Sequence, residues 1–590
     1  MFPIPPTQEL LPFLTEGVDD EDEVLAVIAI SLGKLVPYVG GVHHIHTLLK
    51  PLEILLSVEE TTVRENAQVS ALQISAALPS DQYHSKFVSM IARLAKKEWF
   101  TARISASNLI ASSFEKLIPV EQEEYVGYFA SLCRDEVPMV RRAAAQNLGT
   151  MVEKIVSTTG EYSVGVDGMI TTTFVQLYEH LASNEQPDSV RLHTTENCIS
   201  FGKSMEAIIK SGKGDNMTKD AINVVVNRVV PVIVASTEDR SWRVRWTTAS
   251  KFAQVISAFS SMRETIDLLV PAYEKLLQDP EAEVKAAATL NMAKVAAIEC
   301  DVPALSIPRG KQQDESPSKQ QRISIARRLV TKVGILSEDD NENVRAALAM
   351  VATDLAPLLG KEITISDLVP QVLMLLRDST SEVRLNVISS LGSLNKVIGV
   401  DLLSQSLLPA ILDLANDSKW RIRLAIMNHI PLLAKELGKG FFNDDLIQLC
   451  VSWLGDSISS IRVAAAENLK ELTSIFGSDW VIENIFPPLS DIRQHQSYLR
   501  RVTAVQAYTS IATVMDTEIS KVECIPLILM MATDSVANIR FKVAQSLEIL
   551  APFCDENVIK TQFRPVLSML ADDPDRDVRF FTQKTLRSLN

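Results

Sequence analysis

Polar turns and apolar helical stretches alternate along this chain at a nearly fixed interval. In one unit the turn Asp417-Ser418-Lys419-Trp420-Arg421-Ile422-Arg423 opens into the strongly apolar stretch 424–437. Its frame recurs 39 residues earlier as Asp378…Val383-Arg384 and 39 later as Asp456…Ile461-Arg462. Self-similarity at such a period predicts stacked copies of one supersecondary unit. A basic residue follows an apolar one early in the second helix of each unit. The series is Arg64, Arg103, Arg141, Arg191, Arg245, Lys285, Arg345, Arg384, Arg423, Arg462, Arg501, Arg540 and Arg579, with Leu25 in the same place of a first unit. Every step from Arg345 to Arg579 is 39 residues, whereas the steps into Arg191, Arg245 and Arg345 grow to 50, 54 and 60.

Two further positions keep step. Six residues before the basic anchor stand Asp19, Asp135, Asp239, Asp279, Asp339, Asp378, Asp417, Asp456, Asp534 and Asp573, with Glu185 in one more unit. Fourteen residues before it stand Pro231, Pro271, Pro370, Pro409, Pro487, Pro526 and Pro565. A proline inside a helix removes a hydrogen bond and bends the axis, so each first helix can curve around its neighbour. Two readings of the acid remain open. Stacked units let the Asp of one reach the Arg of the next, as a ladder; alternatively each Asp only caps its own turn. Paired helices carrying this Pro/Asp/Arg frame resemble HEAT repeats. The expected fold is therefore all-α, a HEAT-repeat α-solenoid in which antiparallel helix pairs build a curved superhelix. One solenoid of about 14 repeats spans 1–590, with N-terminal repeats at 8–299, an insertion at 301–321, middle repeats at 322–402 and C-terminal repeats at 403–590.

Composition narrows the function. Hydrophobic residues make up 46% and charged residues 22%, as in ordinary soluble domains. A net charge of −15 argues against a general nucleic-acid binder, which needs a basic stripe. The six cysteines (Cys133, Cys198, Cys300, Cys450, Cys524, Cys554) contain no CxxC pair and read as reduced thiols of a cytoplasmic or nuclear protein. No apolar run is long enough to span a bilayer, and no signal peptide is expected. His43, His44 and His46 have no further ligand nearby, so they read as a helix start and no metal is expected. Phosphate-cradling loops, GxSxG and HExxH are absent from the sequence. The expectation is thus no enzyme, no cofactor, no small-molecule substrate and no membrane insertion. The long steps predict loops near 157–167 and 211–218, and a polar, disordered insertion around 301–321.

What the turns display then decides the reading. Trp242-Arg243 and Trp420-Arg421 put the two residues most enriched at interface hot spots on turn tips. Each Trp either packs on its own helix or faces a partner. The second reading is favoured, because Trp-Arg recurs in a few turns only while the frame recurs in nearly all. These turns, with Val137-Pro138-Met139-Val140-Arg141-Arg142 and the stretch 403–411, resemble the scaffold (A-type) subunits of protein phosphatase 2A nearly end to end. The resemblance implies a non-catalytic HEAT scaffold joining a phosphatase catalytic subunit to variable regulatory B-type subunits. It implies catalytic-subunit contacts at Lys419, Trp420, Arg421, Ser459, Tyr498, Ser535, Val536 and Asn538. It implies regulatory-subunit contacts at Trp99, Phe100, Asp135, Met139, Arg142, Trp242 and Arg243. Ser459 stands where the family commonly carries Tyr. The three insertions are atypical, and no counterpart of the family's first repeat is expected before Gln8. The alternative reading is another HEAT adaptor, such as a nuclear transport receptor.

Overall fold

A computed structural model describes residues 21–165, 167–210, 216–299, 301–303, 322–399, 412–439, 442 and 444–589. Asp19, Cys300, Pro409, the stretch 403–411 and a first helix at 8–15 lie outside the described residues. Contacts divide the chain into two compact units, Met1–Leu329 and Val330–Asn590.

In the first unit the second helices are α1 (Asp22–Lys34), α2 (Thr61–Ala77), α3 (Phe100–Ser113), α4 (Pro138–Thr159), α5 (Thr194–Lys210), α6 (Trp242–Ala258) and α7 (Ala282–Ala296). Each packs on the next in chain order. In the second unit the same role falls to α8 (Glu342–Val351), α9 (Ser381–Ile398), α10 (Trp420–Leu437), α11 (Ser459–Phe476), α12 (Tyr498–Ala512), α13 (Ala537–Leu550) and α14 (Arg576–Ser588), again packed in sequence. Every anchor falls on one of these helices except Arg191, which ends a short turn of helix just before α5. The described fold is all-α apart from one two-stranded pairing.

Spacing explains the packing. In α11 the buried residues Ile461, Ala465, Ala466, Asn468, Leu469, Leu472, Thr473 and Phe476 recur every three or four positions. They make a broad stripe that meets both neighbours. Burying Leu469 alone contributes about 1.5–3 kcal/mol. The helix stops at Gly477, whose φ of 89° lies in the left-handed region open mainly to glycine.

The first helices depart from expectation. Pro231 and Pro271 do lie inside continuous helices. At Pro487 and Pro526 in the second unit the proline starts a new segment instead, whereas Pro370 and Pro565 lie in unbroken helical runs. Ser478–Asn484 ends before Pro487 opens Phe486–Arg493, and Thr517–Glu523 ends before Pro526 opens Ile525–Met530. Proline has no N–H to give, and a helix start is where none is needed.

The insertions are also more ordered at their edges than composition suggests. Residues 157–159 belong to α4, and a 3-10 turn covers Gly160–Val164. A helix already begins at Asn216; 211–215 lie outside the described residues. Asp301–Pro303 pairs antiparallel with Arg322–Ser324, and Val302 is fully buried. The insertion is thus 304–321, outside the described residues, with its two ends held side by side. Val302→Ala is expected to cost about 1–3 kcal/mol in urea unfolding, the range for a small core truncation.

Candidate protein interface

The fixed spacing of acid and base builds a ladder. Arg103 grips Asp135 with Nε and Nη2 at 2.7 and 3.0 Å, and Arg245 grips Asp279 at 2.6 and 2.9 Å. Arg345–Asp378, Arg501–Asp534 and Arg540–Asp573 repeat this fork-on-carboxylate geometry at 2.6–3.0 Å. Arg191–Asp239, Arg384–Asp417 and Arg423–Asp456 complete the described steps. The direction is the reverse of the expected one: each Arg reaches forward to the acid of the following repeat. The rest of the guanidinium faces backwards. Nη1 of Arg540, for example, donates to the carbonyl of Asp534 at 2.8 Å, closing its own turn.

The capping reading holds at the same residues. Oδ1 of Asp378 accepts the Thr380 N–H at 2.7 Å, and Oδ1 of Asp534 accepts the Val536 N–H at 2.9 Å. One carboxylate therefore fixes a turn and ties two repeats. Glu185 does not take the acid's place expected of it: it is exposed, and buried Gln186 receives Nε of Arg141 at 2.8 Å. The inserted residues shift the frame by one there, and a neutral amide can fill the slot because it too offers an oxygen.

Burial pulls the Asp378 and Asp534 carboxyls upward, but the hydrogen bonds and charge of Arg345 and Arg501 outweigh it and hold both below the usual range. Arg540 does the same for Asp573. A depressed carboxylate stabilises the fold above its unfolded pKa of about 3.9, and that contribution disappears as pH falls through the lower folded value. Stability should thus fall below about pH 4, and Asp378→Asn should flatten that slope in acid titrations followed by circular dichroism. In a double-mutant cycle, Asp378 and Arg345 should couple by about 0.5–3 kcal/mol, while Asp378 and Arg423 should be additive.

The ladder side chains are largely enclosed, while most of the residues that open the second helices beside them stand exposed. Lys419 is the N-cap of α10, held by Asp417 Oδ1 at 2.8 Å, and Trp420 and Arg421 are its first two residues. The Arg421 guanidinium stacks 5.0 Å from the Trp420 ring, which is half-buried. Ser459 opens α11 and Tyr498 opens α12, both exposed. Ser535 and Asn538 are exposed beside the half-buried N-cap Val536. All of these sit at one register, the entry to consecutive second helices. In the first unit exposed Trp99 caps α3 with Phe100 behind it, ring centroids 5.7 Å apart. Met139, Arg142 and Arg243 are exposed at the same register. Asp135 differs: its carboxylate is committed to Arg103 and the Val137 N–H.

Two features escaped sequence reasoning. Trp246 is 44% exposed one helical turn beyond Trp242, itself 43% exposed, so α6 presents a pair of indoles at i and i+4. Asparagines form a second stitch between second helices: Asn197 Nδ2 donates to Ala145 O at 2.9 Å, and Asn291 Nδ2 to Ser250 O at 3.0 Å. Both lie six residues after their anchors, a period that was there to be found.

Comparison with known proteins bears on the repeats that carry these turns. Residues 126–155 match the HEAT repeat, and 216–476 match the middle domain of PIK3R4-like proteins. The A-type regulatory subunit of protein phosphatase PP2A from Saccharomyces cerevisiae is 36% identical over 265 residues, 44% of this chain and 39% of its own. The beta isoform of the 65 kDa A-type regulatory subunit of serine/threonine-protein phosphatase 2A from Homo sapiens is 38% identical over 365 residues, 62% of this chain and 53% of its own. Over these stretches the chain is similar to HEAT-repeat scaffold subunits of phosphatase 2A. The aligned stretches span about two fifths of the yeast relative and about half of the human one. Solved structures extend the likeness of fold beyond these scaffolds. Kap95p, in a structure with RanGDP, aligns with 99% of this chain and 72% of its own at a TM-score of 0.61, with 13% identity. Kap121p bound to Pho4p aligns with 98% of this chain and 57% of its own at 0.60, with 13% identity. Among the described residues no helix is long and apolar enough to cross a membrane, and no group of His, Cys, Asp or Glu could hold a metal ion.

Proposed function

We propose that the chain is a non-catalytic scaffold that joins a Ser/Thr phosphatase catalytic subunit to interchangeable regulatory B-type subunits. The catalytic subunit binds Lys419, Trp420, Arg421, Ser459, Tyr498, Ser535, Val536 and Asn538. Regulatory subunits bind Trp99, Phe100, Met139, Arg142, Trp242 and Arg243, with Trp246 added. The observation that carries this reading is the common register: in each unit these side chains lie at the entry to successive second helices. Large aromatics beside guanidiniums suit burial against a partner, since the ring supplies apolar area and the charge orients it. Asp135 acts indirectly, by holding its turn. Cytoplasm and nucleus are the compartments where this reading places the chain. The test is capture from native lysate followed by mass spectrometry, with titration of purified phosphatase catalytic subunit. Saturable binding of that subunit is expected; its absence, with a small GTPase recovered instead, overturns the reading.

A further inference from the structure

The ladder is interrupted between α11 and α12. The position 33 residues after Arg462, where the intact second-unit steps carry Asp, is His495. Arg462 keeps its backward contacts, with Nη1 donating to the carbonyls of Asp456 at 2.8 Å and Ser457 at 3.1 Å. Its forward edge, which in other repeats grips a carboxylate, has no acid opposite it among the described residues. His495 performs only the turn-holding half of the usual acid's role, its Nδ1 accepting the Ser497 N–H at 3.0 Å.

A second cation lies at the same place. Nη1 of Arg500 sits 3.3 Å from Nε2 of His495, and its guanidinium packs on Gly455, where a Cβ would stand 3.1–3.3 Å from it. Gly455 directly precedes Asp456, whose carboxylate is already taken by Arg423 and the Ile458 N–H. Arg462 and Arg500 therefore border one turn edge with no free carboxylate between them among the described residues. Exposed Ser459, Tyr498 and Leu499 rim that edge. The first unit has two further steps without an acid, and each is closed in another way. Arg141 gives Nε to Gln186, and Arg64 is buried with Nη2 on the Thr61 hydroxyl.

We propose that the Arg462–His495 step is a docking site for an acidic side chain of the phosphatase catalytic subunit, which supplies the carboxylate that residue 495 does not. The proposal rests on the scaffold reading above, and charge complementarity selects the occupant. A guanidinium fork shaped for a carboxylate stands open within the run of turns, Lys419 to Asn538, assigned to that subunit. The partner's acid completes the ladder from outside, so binding and repeat stacking reinforce each other at this step.

His495→Asp tests this, because it offers the fork an internal acid at the spacing every intact step of the second unit uses. The turn should survive, since Asp holds the equivalent N–H at Asp417 and Asp534. His495→Asn is the companion variant: it keeps a turn acceptor but brings no charge. In titrations with purified catalytic subunit, His495→Asp should bind about tenfold more weakly, the worth of a charged hydrogen bond, with a shallower salt dependence and a higher melting temperature. His495→Asn should bind within about twofold of wild type. Equal binding by wild type and both variants overturns the docking site and leaves the scaffold reading standing. Equal weakening of both variants shows that the imidazole itself makes the contact and also overturns it. Failure of the wild-type chain to bind the catalytic subunit overturns both.

Discussion

Asp239→Ala is expected to destabilise the protein by about 3–5 kcal/mol, the cost of stranding a buried charge. The Arg191 side chain is 1% exposed and Asp239 6%, the most enclosed of the ladder pairs. Both Nε and Nη2 of Arg191 donate to the Asp239 carboxylate at 2.8 Å, and the same carboxylate accepts the Ser241 N–H at 2.8 Å. Truncation would leave a desolvated guanidinium with only the Gln186 carbonyl, and would release the turn that opens α6. Asp417→Ala provides the contrast. Asp417 is 18% exposed and takes one nitrogen of Arg384, so water can replace it and the expected loss is about 1–2 kcal/mol. Urea unfolding of both variants decides the matter. Equal losses would mean that burial does not set the strength of the rungs.

Trp420→Ala is expected to weaken binding of the catalytic subunit by about 2–4 kcal/mol, the hot-spot range. The ladder around it is complete without the indole: Arg423 bonds Asp456 ahead and the Asp417 carbonyl behind, and Asp417 bonds the Lys419 N–H. The half-buried ring lies under Arg421, so its removal exposes little core. The melting temperature should therefore change little while the affinity falls. Regulatory-subunit contacts at Trp99 and Trp242 should persist, because distant repeats share no contacts. An affinity loss matched by an equal stability loss would make Trp420 a packing residue.

The repeat frame was legible because period-39 spacing fixes which side chains share a register, whatever fills the positions between. Asp378, Arg345 and Tyr498 could all be placed by counting. Counting could not give the ladder its direction. Asp378 is as near in sequence to Arg384 as the frame allows, yet its carboxylate pairs with Arg345, across the packing of α8 on α9. Glu185 failed because a 50-residue step hides a one-residue shift, visible only through the burial of Gln186. The Pro487 and Pro526 breaks needed backbone geometry, since proline bends a helix or begins one with the same residue. His495 was readable as a missing acid; its meaning came only with the open fork of Arg462.

A stack joined one rung at a time carries tension through its weakest rung. If the ends of the second unit were drawn apart, seven helices in series would bear the same load, and among the described residues only the junction of α11 with α12 would resist without a carboxylate clasp. Rupture should begin there. Each repeat that unravels would release 39 residues, a contour gain of roughly 130 Å at about 3.4 Å per residue. A partner acid seated on Arg462 would move that first rupture elsewhere, so the force needed to unspool the array would report whether the scaffold is loaded.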